Sequence, residues 1–150
     1  MATLAQIEQF VAQRHVAVAG ISRNPHKFGN AIFKELKKQG YILYPMSRHM
    51  QEFEGVRCYP DISSLPEEVS AIVINTKPEQ TAGLIKEAEA KGIRQIWLQQ
   101  GASNNEILAS IENSESNIIA KHCILMFAKP DHFMHKTHIL FKKLFGTYPN

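Results

Sequence analysis

At 150 residues the chain is long enough for one domain with its own core. Hydrophobic residues make up 44% and charged residues 21%, a balance that excludes a disordered or fibrous protein. The formal net charge of +3 suits an anionic ligand but is too small to argue for nucleic acid by itself. No apolar run reaches the roughly 18 residues of a membrane span, and the opening MATLAQIEQF has no signal-peptide core. The expectation is a cytoplasmic protein with no membrane partner. Two cysteines, Cys58 and Cys123, are too few for a disulfide framework.

The elements alternate along the chain. Thr3 and Gln6 have capping-box spacing, and Ile7, Phe10 and Val11 follow at helical intervals. His15 to Gly20 is a short apolar run, read as a buried strand. Ile21 to Asn30 is rich in Ser, Asn, Pro and Gly, hence a loop. Phe28, Ile32 and Leu36 predict a helix that stops at Gly40. Tyr41 to Pro45 is a second strand, and Arg57–Tyr59 a short extended piece within a loop from Gly55 to Leu65. Ala71–Ile74 is a third strand. Pro78 starts a helix with Leu84, Ile85 and Ala88 on its core face, ended by Gly92. Gln95–Leu98 is a fourth strand. Ser103 and Glu106 form a second capping box before a helix carrying Ile107, Leu108 and Ile111, and Asn117–Ala120 is the last strand.

Strands alternating with helices imply βαβ units and a parallel sheet covered on both faces. With right-handed crossovers this is a doubly wound, five-stranded, Rossmann-like three-layer α/β sandwich. It should occupy residues 1–128, with residues 129–150 as a basic, amphipathic, helical tail. Ligands of such sheets sit beyond the carboxyl ends of the strands. The loops after Gly20, Pro45, Ile74 and Leu98 should therefore gather around one crevice.

The first of these loops suits a phosphate. A helix start offers unpaired N–H groups and the positive end of the dipole. Gly20 allows a tight turn and Gly29 a close backbone approach. The Ser22 hydroxyl can donate to a phosphate oxygen, and Arg23 and Lys27 add positive charge. The match to G-x-G-x-x-G is poor, because Ser22 replaces the second glycine. After the second strand an NAD site wants an acid for the ribose hydroxyl. The chain has Ser47, Arg48 and His49 instead. That suits an extra phosphate on the ribose, either the 2′-phosphate of NADP or the 3′-phosphate of coenzyme A (CoA).

The ordered series Gly20–Pro25, Gly40–Pro45, Gly55–Pro60 with Leu65-Pro66, Trp97–Gly101 and Lys121–Cys123 resembles the small stand-alone CoA-binding domain proteins. These are related to the CoA-binding domain of the succinyl-CoA synthetase alpha subunit. The resemblance runs over roughly residues 5 to 128. It implies that the Ser22 loop meets the pyrophosphate. It places Arg48 and the loop with Asn75, Lys77 and Pro78 near the adenosine end, and Gln99 and Gly101 further along the crevice. The family's usual Pro-Val-Asn-Pro is Pro45-Met-Ser-Arg48 here, a departure at the nucleotide end. The synthetase's second domain is absent from this sequence, so its reaction does not transfer.

No paired base and nucleophile emerges for catalysis. The carboxylates fall on exposed helix faces, and Cys123 reads as a buried thiol beside His122, with a reactive thiolate as the alternative. His132, His135 and His138 recur every third residue, but a metal site is not assigned to them. Phe133, Ile139, Leu140, Leu144 and Phe145 could pack on the domain or on a second copy, leaving Lys136, Lys142 and Lys143 for water or an acidic partner. The expected function is non-catalytic binding of CoA or an acyl-CoA, a small-molecule role with a homo-oligomer open. The alternatives are an NADP-dependent oxidoreductase or nucleotide sensor, and an interaction module acting through the basic tail.

Overall fold

In a computed structural model, residues 2–128 are described. Helix α1 (Leu4–Val11) leads into β1 (His15–Ala19), α2 (Phe28–Lys38) and β2 (Ile42–Met46). Two short strands follow, β3 (Glu52–Phe53) and β4 (Val56–Arg57), and then a 3₁₀ turn, Ile62–Ser64. The rest alternates as β5 (Ala71–Ile74), α3 (Pro78–Lys91), β6 (Gln95–Leu98), α4 (Asn105–Ser110) and β7 (Asn117–Ile119), closed by a second 3₁₀ turn at Ile124–Met126. The five long strands form one sheet in the order β2-β1-β5-β6-β7, parallel at every pairing. The expected α/β fold is the observed one.

Strand alternation divides the core. Val16, Val18, Ala71, Val73, Trp97 and Ile119 point to the face covered by α1, α2 and the second 3₁₀ turn. Ala17, Ala19, Ile72, Ile74, Ile96 and Leu98 point to the face covered by α3, α4 and the first 3₁₀ turn. A strand buried on both sides has no polar period, which is why these segments read as unbroken apolar runs. Trp97 anchors the first face, with its ring 5.3 Å from Phe10 and 5.9 Å from Phe127. Its indole N–H donates to the His122 carbonyl at 2.9 Å, so burying it leaves no polar atom unpaired.

The capping box of α1 is present. The Gln6 N–H donates to Thr3 Oγ1 at 3.1 Å, and the Thr3 N–H donates to Gln6 Oε1 at 2.7 Å. The second expected box is corrected: Asn104, not Ser103, caps α4, its Oδ1 accepting from the Ile107 N–H at 2.9 Å. The extended piece at Arg57–Tyr59 divides: Arg57 ends a hairpin in which Glu52 pairs with Arg57 and Phe53 with Val56, and Tyr59 bridges in parallel to Met46 of β2. Glu54 and Gly55 turn it with φ of 52° and 76°, as a tight two-residue hairpin turn requires. Phe28, expected on the apolar stripe of α2, stands at its first position and is 46% exposed. Leu84 is half-buried while Thr81 takes the third core position of α3 beside Ile85 and Ala88. The C-terminal tail, its histidines and its expected helix lie outside the described residues.

Candidate binding crevice

Chain order reverses between β1 and β5. The connection after β1 crosses by α2 on one face, and the connection after β5 crosses by α3 on the other. Loops that leave toward opposite faces part from each other and open a crevice at the carboxyl ends of those strands. A crevice of about 480 Å³ lies there. Gly20 at the end of β1, Ser47 and Arg48 after β2, and Thr76 after β5 line it, with Gln80 and Gly83 of α3 opposite.

Two glycines fix the closeness of this region. Gly20 has φ +104°, and a Cβ on it would sit 2.2 Å from the Asn75 carbonyl oxygen. A Cβ on Gly29 would sit 2.2 Å from the Gly20 carbonyl oxygen. Helix α2, strand β1 and the start of the β5–α3 loop therefore touch through bare backbone. The Asn75 N–H donates to the Ala19 carbonyl at 3.0 Å and extends the ladder into the loop.

The loop from Gly20 to Lys27 is held by Asn30, which is 3% exposed. Its Oδ1 accepts from the Ser22 N–H at 2.9 Å, and its Nδ2 donates to the carbonyls of Ser22 at 2.7 Å and Asn24 at 3.2 Å. The Ser22 hydroxyl oxygen accepts from the Asn24 N–H at 3.1 Å. Lys27 is the N-cap of α2 and provides no side-chain cap, so no side chain covers the helix's first N–H groups. Arg23 reaches across to donate to the His49 carbonyl, tying the first loop to the second. At the end of β2 the Ser47 N–H donates to the Tyr59 carbonyl at 3.0 Å, and Arg48 is exposed. Asp61, within the field of Arg48, is held below the ordinary carboxylate range mainly by hydrogen bonds from Ser63 and Ser64.

The expected site residues thus separate. Gly20, Ser47 and Arg48 line the crevice. Ser22, Arg23 and Lys27 occupy the adjoining loop, with Gly29 and Asn75 packed behind Gly20. Lys77 is the exposed N-cap of α3. Pro78 lines a different space of about 460 Å³ between α3 and α4. Gln99 is 1% exposed, and its Oε1 accepts from the Ile124 N–H at 3.1 Å, which ties β6 to the closing turn. Gly101 has φ +89° and makes a turn. Cys58 is buried, and burial with the nearby Glu52 raises its thiol pKa. Cys123 is half-buried.

Two features escaped the sequence reading. Asn30 was visible as a poor helix former inside the first turn of α2, a placement that asks for a loop contact. Gln80, Gly83, Leu84 and Glu87 form an i, i+3, i+4, i+7 stripe facing the crevice, beside the core stripe that drew attention first.

Among relatives, the acetate–CoA ligase (ADP-forming) II alpha subunit of Pyrococcus furiosus is 31% identical over 91 residues, 60% of this chain and 20% of its own length. The acetate–CoA ligase (ADP-forming) II of Archaeoglobus fulgidus is 29% identical over 129 residues, 83% of this chain and 19% of that protein. The chain spans about a fifth of the length of these curated relatives. A solved conserved hypothetical protein from Pyrococcus furiosus superposes with a TM-score of 0.70 at 34% identity, covering 75% of this chain and 97% of that one. The CoA-binding domain model matches residues 14–129, and this chain belongs to that family.

Proposed function

We propose that the chain binds coenzyme A or an acyl-CoA in the crevice between β1, β2 and β5, as a non-catalytic nucleotide-binding module. The observation that carries this reading is the end of β2. There Ser47, Arg48 and His49 meet the crevice where an NAD site would present a carboxylate to the ribose. A cation at that point favours a phosphorylated ribose. The uncapped start of α2 and the loop ordered by Asn30 then suit the diphosphate. The titratable groups lining the crevice, Arg48, His49 and Glu87, are all exposed. Groups so placed recognise charge, whereas proton transfer asks for paired, desolvated ones. The names of the curated relatives, acetate–CoA ligases, support the ligand class, and their reaction is not carried over to a chain a fifth of their length.

Calorimetric titration with coenzyme A, dephospho-coenzyme A, NADP and NAD tests the reading. Coenzyme A should bind, and removing its 3′-phosphate should weaken binding by about tenfold, the worth of one charge-assisted contact. Silence toward coenzyme A at millimolar concentration overturns it. Tighter binding of NADP moves the assignment to an oxidoreductase.

A further inference from the structure

The β3–β4 hairpin plays no part in the crevice described above, yet it is firmly placed. Phe53 meets Phe33 of α2 edge-on with ring centres 5.1 Å apart, and Lys37 of α2 donates to the Glu54 carbonyl at 2.9 Å. Its last residue, Arg57, lies with its guanidinium carbon 5.1 Å from the centre of the Tyr59 ring. Contact with a π face needs none of the five N–H donors. Glu52 stands opposite Arg57 in the hairpin register. Even so, among the described residues no carboxylate lies within ion-pair distance of Arg57 or of Arg48.

Both arginines line one pocket of about 420 Å³, together with Ser47, Gln51 and Cys58, and its wall contains no acid. Asp61 lines a different space, which Arg48 also borders, and its Oδ1 accepts from the Ser63 hydroxyl and the Ser64 N–H at 2.9 Å each. Ser47, Arg48 and Pro60 line both this pocket and the crevice, so the two spaces adjoin. Two cations around an acid-free hollow repel each other until an anion enters. Their planar, fixed donor forks match a tetrahedral phosphate better than a lysine would.

We propose that this pocket is a phosphomonoester subsite, in which Arg48 and Arg57 clamp the phosphate on a nucleotide's ribose while the rest of the ligand lies in the crevice. The inference rests on the nucleotide reading above and adds a second arm supplied by the hairpin. Arg57 is exposed and packs no core, so its replacement leaves the fold in place.

The test is titration of wild type, Arg57→Gln and Arg57→Lys with coenzyme A and dephospho-coenzyme A. Wild type should prefer coenzyme A about tenfold. Arg57→Gln should cut that preference to about threefold, the share that Arg48 keeps, while binding dephospho-coenzyme A unchanged, and Arg57→Lys should keep more of it. An unchanged preference in Arg57→Gln, or an equal loss of both ligands, overturns the subsite. If wild type binds neither nucleotide, the coenzyme A reading fails by itself and the pocket is judged with inorganic phosphate. Phosphate-dependent shifts of the Arg48 and Arg57 side-chain N–H resonances would then sustain it, and their absence would overturn it.

Discussion

Gly29 and Gly20 are where single atoms decide the site. A methyl group at Gly29 would press on the Gly20 carbonyl, and neither backbone can retreat without parting α2 from β1. Gly29→Ala should therefore lose about 1–3 kcal/mol of stability in urea denaturation, a loss typical of overpacking. An unchanged midpoint would mean that the loop shifts freely. His122 makes a second prediction at this scale. Its ring is buried and stacks edge-on against Phe127, and burial lowers its pKa below the ordinary histidine value. Above the ordinary value both folded and unfolded states hold it neutral. As pH falls through that value the unfolded chain takes up the proton first, so the native state loses stability until the lowered folded pKa is passed. The melting temperature should fall as the pH drops below the ordinary histidine value, and His122→Gln should flatten the slope.

At the scale of elements, the cap of α4 separates two readings that differ by one residue. Ser103 with Glu106 and Asn104 with Ile107 are both plausible starts on paper. Packing settles the phase, because Ile107 must point into the core under α3, where it is 4% exposed. Asn104→Ala should destabilise by about 1 kcal/mol and Ser103→Ala by much less, as measured by thermal melting. The reverse order would restore the capping box. Two kinds of segment were legible: α2 by its apolar period, and the inner strands as unbroken apolar runs, because they are buried on both faces. The β3–β4 hairpin was half-legible. Its strands are two residues long, too short for any period, and only Glu54-Gly55 marks the turn. Phe28 misled because apolar spacing shows which residues share a face, not where a helix's first turn leaves the core.

Over the whole molecule, a ligand of the proposed crevice would be coupled to the fold. The crevice draws its walls from the ends of β1 and β2, the loop after β5 and α3, which unfolding would scatter. A ligand that binds only the assembled crevice stabilises the fold by about 2.7 kcal/mol at a hundred times its Kd. Coenzyme A should raise the melting temperature in proportion to the logarithm of its concentration, with dephospho-coenzyme A giving a smaller rise at equal concentration. A melting temperature indifferent to both would count against the crevice as their site.

The sequence by itself determined the alternation of strands and helices, the parallel doubly wound sheet and the position of the glycine-containing loop at the first crossover. These follow from hydrophobic period and from glycine, which act over a few neighbouring residues. It also carried the family, through motifs that recur in order. Only the tertiary structure decided which of the expected residues share one space. Sheet order brings Gly20, Ser47 and Thr76 together from three separate strand ends. It turns Gln99 inward to hold Ile124 and sends Pro78 to a different groove. It also brings Arg57, on a hairpin that the sequence barely announces, to the same pocket as Arg48. Proximity between distant segments depends on how layers pack, and no local pattern along a chain encodes it.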